Sequence, residues 1–142
     1  LYGGGIAGSL EGGELTFVSS GGAVKGSGSI IGGLVGIMTS GLLENSRSTA
    51  DTDGGTAIGG AIGEMDNGTV RGVSASGTAY ANTSESFKDG TNAGGFVGLM
   101  QGGLIEESYA HGYALVDHGY AGGFVGQIRN GTIQNAFANG RV

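Results

Sequence analysis

An all-β fold, built as a solenoid of stacked coils, is what this sequence predicts, and three observations carry the prediction. A phrase of about 28 residues recurs from one end of the chain to the other, and its columns align with almost no gaps. Glycine supplies 35 of the 142 residues while proline and cysteine are absent, which removes the ordinary turn formers and staples and leaves glycine to shape the backbone. The apolar segments between the glycines are short and alternate, as strands do.

Gly pairs open the units at Gly4–Gly5, Gly32–Gly33, Gly59–Gly60, Gly94–Gly95 and Gly122–Gly123, so unit starts lie 28, 27, 35 and 28 residues apart. The long unit carries an insertion near Thr83–Asp89. After each pair come Ile6, Leu34, Ala61, Phe96 and Phe124, then Ala7, Val35, Ile62, Val97 and Val125, then another glycine. A Met column follows at Met38, Met65 and Met100, with Ile128 in the last unit. Next stand the glycines Gly41, Gly68, Gly103 and Gly131, then Leu43, Val70, Ile105 and Ile133, and finally two columns of small residues, one running Ser20, Ser48, Ala75, Ala110, Ala138. Glycine at this density would cost a helix about 1 kcal/mol at each occurrence, so helix is excluded.

A unit this short cannot bury its apolar face alone and must stack on its neighbours. Residues 1–142 therefore read as a single domain of about five coils, some 24 Å long at the strand spacing, and as a fragment of a longer chain. The inward ladders are Leu34/Ala61/Phe96/Phe124, Met38/Met65/Met100/Ile128 and Leu43/Val70/Ile105/Ile133, with Ser and Ala filling a narrow edge. Gly41, Gly68, Gly103 and Gly131 are the turn glycines. Strict alternation from Phe96 turns Val35, Ile62, Val97 and Val125 outward, joined by Ile37 and Leu99, as an exposed aliphatic contact surface. The competing reading is that glycine kinks turn both residues inward.

Composition excludes several classes. Collagen needs glycine at every third position with abundant proline. Disorder needs low hydrophobicity, whereas 38% of this chain is hydrophobic. The net charge of −6 is spread without a basic run, so no nucleic acid is expected as a partner. No stretch reaches the roughly 18 apolar residues of a membrane helix, so no membrane insertion is expected. Without cysteine there is neither a disulfide scaffold nor a thiol nucleophile.

Local motifs yield no catalytic, cofactor or metal residues. Gly3 to Gly8 fits G-x-G-x-x-G, but that fingerprint needs a following helix. Asp51-Thr52-Asp53-Gly54 hints at a calcium loop, yet Gly55 and Ile62 stand where ligands would be required, and an Asp- and Gly-rich turn is the better reading. His111 and His118 lack the partners of a zinc site. Glu44, Arg71 and Glu106 form one outward column of alternating sign, as cross-strand ion pairs do, rather than a carboxylate pair for glycoside cleavage. Asn67-Gly68-Thr69, Asn82-Thr83-Ser84 and Asn130-Gly131-Thr132 are formal glycosylation sequons, two of them explained by turn chemistry.

Gly94-Gly95-Phe96-Val97-Gly98, Gly32-Gly33-Leu34-Val35-Gly36, Glu107-Ser108-Tyr109-Ala110-His111-Gly112 and the run from Asn130 to Gly140 together resemble the GLUG repeat. The resemblance extends over nearly the whole chain, with the first and third units departing most. It implies a right-handed β-solenoid (β-helix), an extracellular or bacterial cell-surface setting, and a non-catalytic structural or adhesive segment of a secreted protein. The partners expected are neighbouring coils of the same chain, further copies of it, or a host glycan or protein. A subunit of an extracellular filament is the alternative, since no polar cap closes either terminal coil. A carbohydrate-active β-helix enzyme is less favoured for want of an acidic groove, and ice binding for want of a threonine array. No cofactor and no enzymatic activity are expected.

Overall fold

The computed structural model describes residues 1–27, 30–82 and 90–142, and the insertion expected at Thr83–Asp89 lies outside the described residues. The third coil shows the plan. Its strands are Ala57–Gly59, Ile62–Met65, Thr69–Arg71, Ser74–Ala75 and Ala79–Ala81. Each pairs in parallel with its equivalents on both sides. Ile58 lies between Ile31 and Ala93, Met65 between Met38 and Met100, Val70 between Leu43 and Ile105, and Ala75 between Ser48 and Ala110. Every pairing is one coil away in sequence, so the chain is a β-solenoid of about five turns. The third coil holds five short strands, because glycine corners divide it.

The first coil is less regular. Its strand Ala7–Thr16 runs beside Val35–Glu44 with register shifts on either side of Glu11, the irregularity expected of the most divergent unit.

Among the described residues, two cores run along the rod. The larger stacks Leu34, Ala61 and Phe96, then Met38, Met65 and Met100, then Leu43, Val70 and Ile105, all fully buried. Phe124 continues the first ladder by stacking on Phe96, with ring centroids 4.7 Å apart and an interplanar angle of 4°. Phe124 and Ile133 are only half-buried, and Ile128 is 54% exposed, which corrects its assignment to the core: they belong to the last described coil, which packs on one side only. The smaller core, which the aligned columns do not reveal, gathers Ile31, Ile58 and Ala93 against Ala79, Ala81 and Ala114.

The expected aliphatic contact surface is not there. Val35, Ile62 and Val97 are fully buried in the larger core, Val125 packs half-buried against it, and Ile37 and Leu99 are each 8% exposed. The coil bends at Gly60-Ala61 and its equivalents, so the inward direction rotates between neighbours. Ala61 at the corner and Ile62 after it then both face the core, as the kinked reading anticipates.

The glycine spacing is a record of close approach. A β-carbon at Gly59 would overlap the carbonyl of Ile62, and one at Gly60 the carbonyl of Gly95 in the next coil. At Gly63 it would lie 2.7 Å from the Gly36 carbonyl oxygen. The chain thus folds back on itself so tightly that three columns admit only glycine. The turn glycines are required for a different reason. Gly41, Gly68, Gly103 and Gly131 have φ between 90° and 108°, where any other residue is strained.

Candidate functional site

Because the inward columns are committed to packing, sites must be sought on the outward ones. The column Glu44, Arg71, Glu106, Gln134 is in register across its coils. The Arg71 Nε donates to Glu106 Oε1 at 2.7 Å, and the Gln134 amide to Glu106 Oε2 at 2.8 Å. Those two bonds, Gln134 first and then Arg71, hold the Glu106 carboxyl below the usual carboxylate range, and Glu106 in turn raises the Arg71 guanidinium. Among the described residues the column holds one ion pair, Arg71–Glu106, of the kind that its alternating signs predict.

A second carboxylate group joins Asp66, Gln101 and Arg129, which share one column of successive units, to Glu64, which stands two residues before Asp66. Gln101 Nε2 donates to Glu64 Oε1 at 2.5 Å and to Asp66 Oδ1 at 3.1 Å, while the Arg129 guanidinium donates to Gln101 Oε1 at 3.4 Å. Burial, and less strongly the neighbouring Asp66, pushes the Glu64 carboxyl up. A raised acid beside another carboxylate is what general acid catalysis requires. Here the Gln101 amide already bridges the two, so the arrangement joins three successive coils.

The remaining outward surface is a long flat strip. From Arg47 to Asp53, from Ser74 to Tyr80 and from Tyr109 to Leu115, residues alternate between outward and buried without interruption. In the second coil the outward row reads Arg47, Thr49, Asp51, Asp53; in the third Ser74, Ser76, Thr78, Tyr80; in the fourth Tyr109, His111, Tyr113, Leu115. Phe137 of the fifth stacks on Tyr109 with centroids 5.3 Å apart and an interplanar angle of 7°, and His111 meets both rings edge-on and contacts Asn139. Tyr109, Tyr113 and Phe137 are 37%, 48% and 56% exposed. No sequence signal flags this surface, since the aromatics replace Ser and Arg within a column rather than forming a motif.

The local motifs resolve structurally. Gly3 to Gly8 connects two strands, Tyr2–Gly4 and Ala7–Thr16, so the nucleotide fingerprint lacks its helix. Asp51–Gly54 is a strand rather than the expected turn; Asp51 Oδ1 accepts from the Thr78 amide at 2.8 Å, and Asp53 lies 3.9 Å from Lys25. Asn67 and Asn130 each accept from the following glycine's amide at 2.9 Å, closing the turns as the Asn-Gly pairs predict. The third sequon runs into residues outside those described. Among the described residues no three His, Cys, Asp or Glu side chains converge on a point where a metal ion would sit.

No curated protein and no solved structure matches the chain. The family model described as the GLUG motif matches residues 117–142, which are the end of the fourth coil and the fifth. The columns of that segment continue in register through the coils before it, Val125 on Val97, Ile62 and Val35, and Ile133 on Ile105, Val70 and Leu43. The segment 117–142 is thus similar to the GLUG motif, and the coils before it repeat that segment's columns in register.

Proposed function

We propose that the chain is a non-catalytic structural and adhesive segment of a secreted or surface-exposed protein: a stiff spacer whose outward columns hold partners. The observation that carries this reading is the division of labour between columns. Inward positions stay apolar or small in every coil, and backbone bonds tie each coil to the next, which resists bending and leaves proteases few loose ends. Outward positions change from coil to coil at no cost to the core. Its setting outside a cell rests on the GLUG resemblance. Limited proteolysis with scattering measurements tests the reading. A rod that survives protease supports it; a flexible, rapidly cut chain, or turnover of a polysaccharide, sinks it.

A filament is the second reading, favoured by how the coils recognise one another. Each docks on a near-identical neighbour through the same columns, so a coil from another copy offers the same chemistry. Sedimentation and negative-stain microscopy over a concentration series decide between the two. Rods that lengthen with concentration favour the filament; a constant monomer favours the spacer.

A further inference from the structure

The outward column of the third sheet reads Ser19, Arg47, Ser74, Tyr109, Phe137, in strict register. Tyr109 and Phe137 stack face to face along the rod axis, so the free face of Tyr109 looks towards the preceding rung. That rung is Ser74, too short to meet the ring. Beyond it stands Arg47. Between the Tyr109 ring and the Arg47 side chain the ladder therefore lacks a rung, and the separation is two strand spacings, about 10 Å. One flat ring inserted there sits at stacking distance from the aromatic wall, whose preferred centroid separations are about 4.5–7 Å. The floor is the hydroxyl row Ser74, Ser76, Thr78.

Charge selects the occupant. Lys25 pairs with Asp53, Arg71 with Glu106, and Arg129 bonds the Gln101 amide. Arg47 is exposed and has no carboxylate partner among the described residues, although the chain carries twice as many acidic as basic residues, 12 against 6. Asp51, on the same strip, instead accepts the Thr78 amide. A guanidinium without a carboxylate, two rungs from an aromatic wall in the same column and across a hydroxyl rung, complements a ring with polarised C–H bonds on one face, hydroxyls on its rim and one carboxylate.

We propose that the Arg47–Ser74–Tyr109 slot binds an anionic sugar, a uronate-bearing saccharide whose ring stacks on Tyr109 and whose carboxylate meets Arg47. This deepens the adhesive reading and rests on it. The site is a single rung deep, so affinity for one unit is low and is multiplied on a polymer carrying many.

The probe is oligogalacturonate, titrated into the protein by calorimetry, with a neutral cello-oligosaccharide as comparison. The variants are Arg47→Gln, Tyr109→Leu and Ser74→Tyr, the last filling the missing rung with a ring of the protein's own. The expected result is measurable binding of oligogalacturonate over the neutral sugar, weakened about tenfold or more by each substitution. Ser74→Tyr keeps the fold and extends the aromatic stack, so its loss of binding reports occupancy of the slot, and circular dichroism of the same samples confirms the fold. No binding by the wild type, or unchanged binding by Ser74→Tyr, overturns the proposal. So does binding of a tyrosine-bearing peptide with no uptake of the sugar, which assigns the slot to a protein ring instead. Protease resistance of the wild-type sample keeps the two readings apart: a resistant rod that binds no sugar refutes only the slot, whereas a labile chain refutes the spacer.

Discussion

Replacing Gly98 by alanine tests the claim that the repeated glycines record backbone contact. A β-carbon there would stand 2.5 Å from the Ile58 nitrogen, 2.7 Å from the Gly63 carbonyl oxygen and 2.8 Å from the Ala57 carbonyl carbon. Ordinary contact begins at 3.4 Å, so all three approaches are 0.6 to 0.9 Å too short, and all three atoms are backbone. No rotamer change relieves the overlap; the strand Val97–Met100 must move away from the sheet containing Ala57–Gly59. Overpacking of a well-filled core costs about 1–3 kcal/mol, and simultaneous overlap with three backbone atoms belongs at or above the upper end. Gly90→Ala is the control, because a β-carbon at Gly90 meets nothing within 4 Å among the described residues and its φ lies outside the left-handed range. There the lost freedom of the unfolded chain stabilises by about 0.4–1 kcal/mol. Urea denaturation followed by circular dichroism reads both. The midpoint of Gly98→Ala should fall well below the wild type with an unchanged slope, and that of Gly90→Ala should hold or rise. Equal midpoints for the two variants would refute the reasoning, since the glycine columns would then be no more than habits of turns.

The same measurement checks three further expectations. Val97→Thr places a hydroxyl in the larger core without a partner and should cost about 1–3 kcal/mol; a neutral result would restore the exposed aliphatic surface. Glu107 has φ 51° in a corner where Asn45, Gly72 and Asn135 hold φ of 48°, 62° and 50°, so Glu107→Asn should stabilise by about 0.5–1 kcal/mol, seen as a raised midpoint. The carboxylates Glu64 and Glu106 should respond to acid in opposite directions. Glu106 titrates below its unfolded value, so its contribution is present above that value and lost as pH falls through the folded one; the advantage of wild type over Glu106→Gln should shrink accordingly. Glu64 titrates above its ordinary value of 4.5, so the fold gains from its protonation as pH falls, and Glu64→Gln should be the more stable at neutral pH and lose that lead in acid.

Column arithmetic made most of the larger core legible, because a parallel solenoid stacks equivalent residues directly over one another. Leu34, Phe96, Met65, Met100, Val70 and Ile105 are buried where the aligned units place them. Period-two alternation failed between Phe96 and Val97, where the chain bends, and again between Val97 and Met100, which are three residues apart and both lie in the larger core. The smaller core was illegible for a related reason: Ile31 and Ile58 lie just before the Gly pairs used to open the units, and its other wall is alanine, which carries little apolar signal. The Arg71–Glu106 pair could be read from sign alternation within a column. The Glu64–Gln101 bond could not, because it runs diagonally from one column to another, whereas Asp66, Gln101 and Arg129 share a column.

The contrast between adjacent columns locates where this chain can acquire a new function. Ser20, Ser48, Ala75, Ala110 and Ala138 face inward at a narrow edge and never exceed the size of serine. One residue earlier, the outward column passes from Ser19 through Arg47 and Ser74 to Tyr109 and Phe137, changing charge, size and aromaticity at almost every coil. Both columns share the same strands and hydrogen bonds, so backbone geometry does not explain the difference. What differs is that an inward change must be accommodated by the coils above and below, whereas an outward change meets solvent on its open side. A substitution such as Ser74→Tyr therefore alters what the surface binds without the repacking cost that limits the core. The solenoid converts a repetitive sequence into a fixed lattice of positions about 4.8 Å apart along the axis, on which recognition is written by single outward residues.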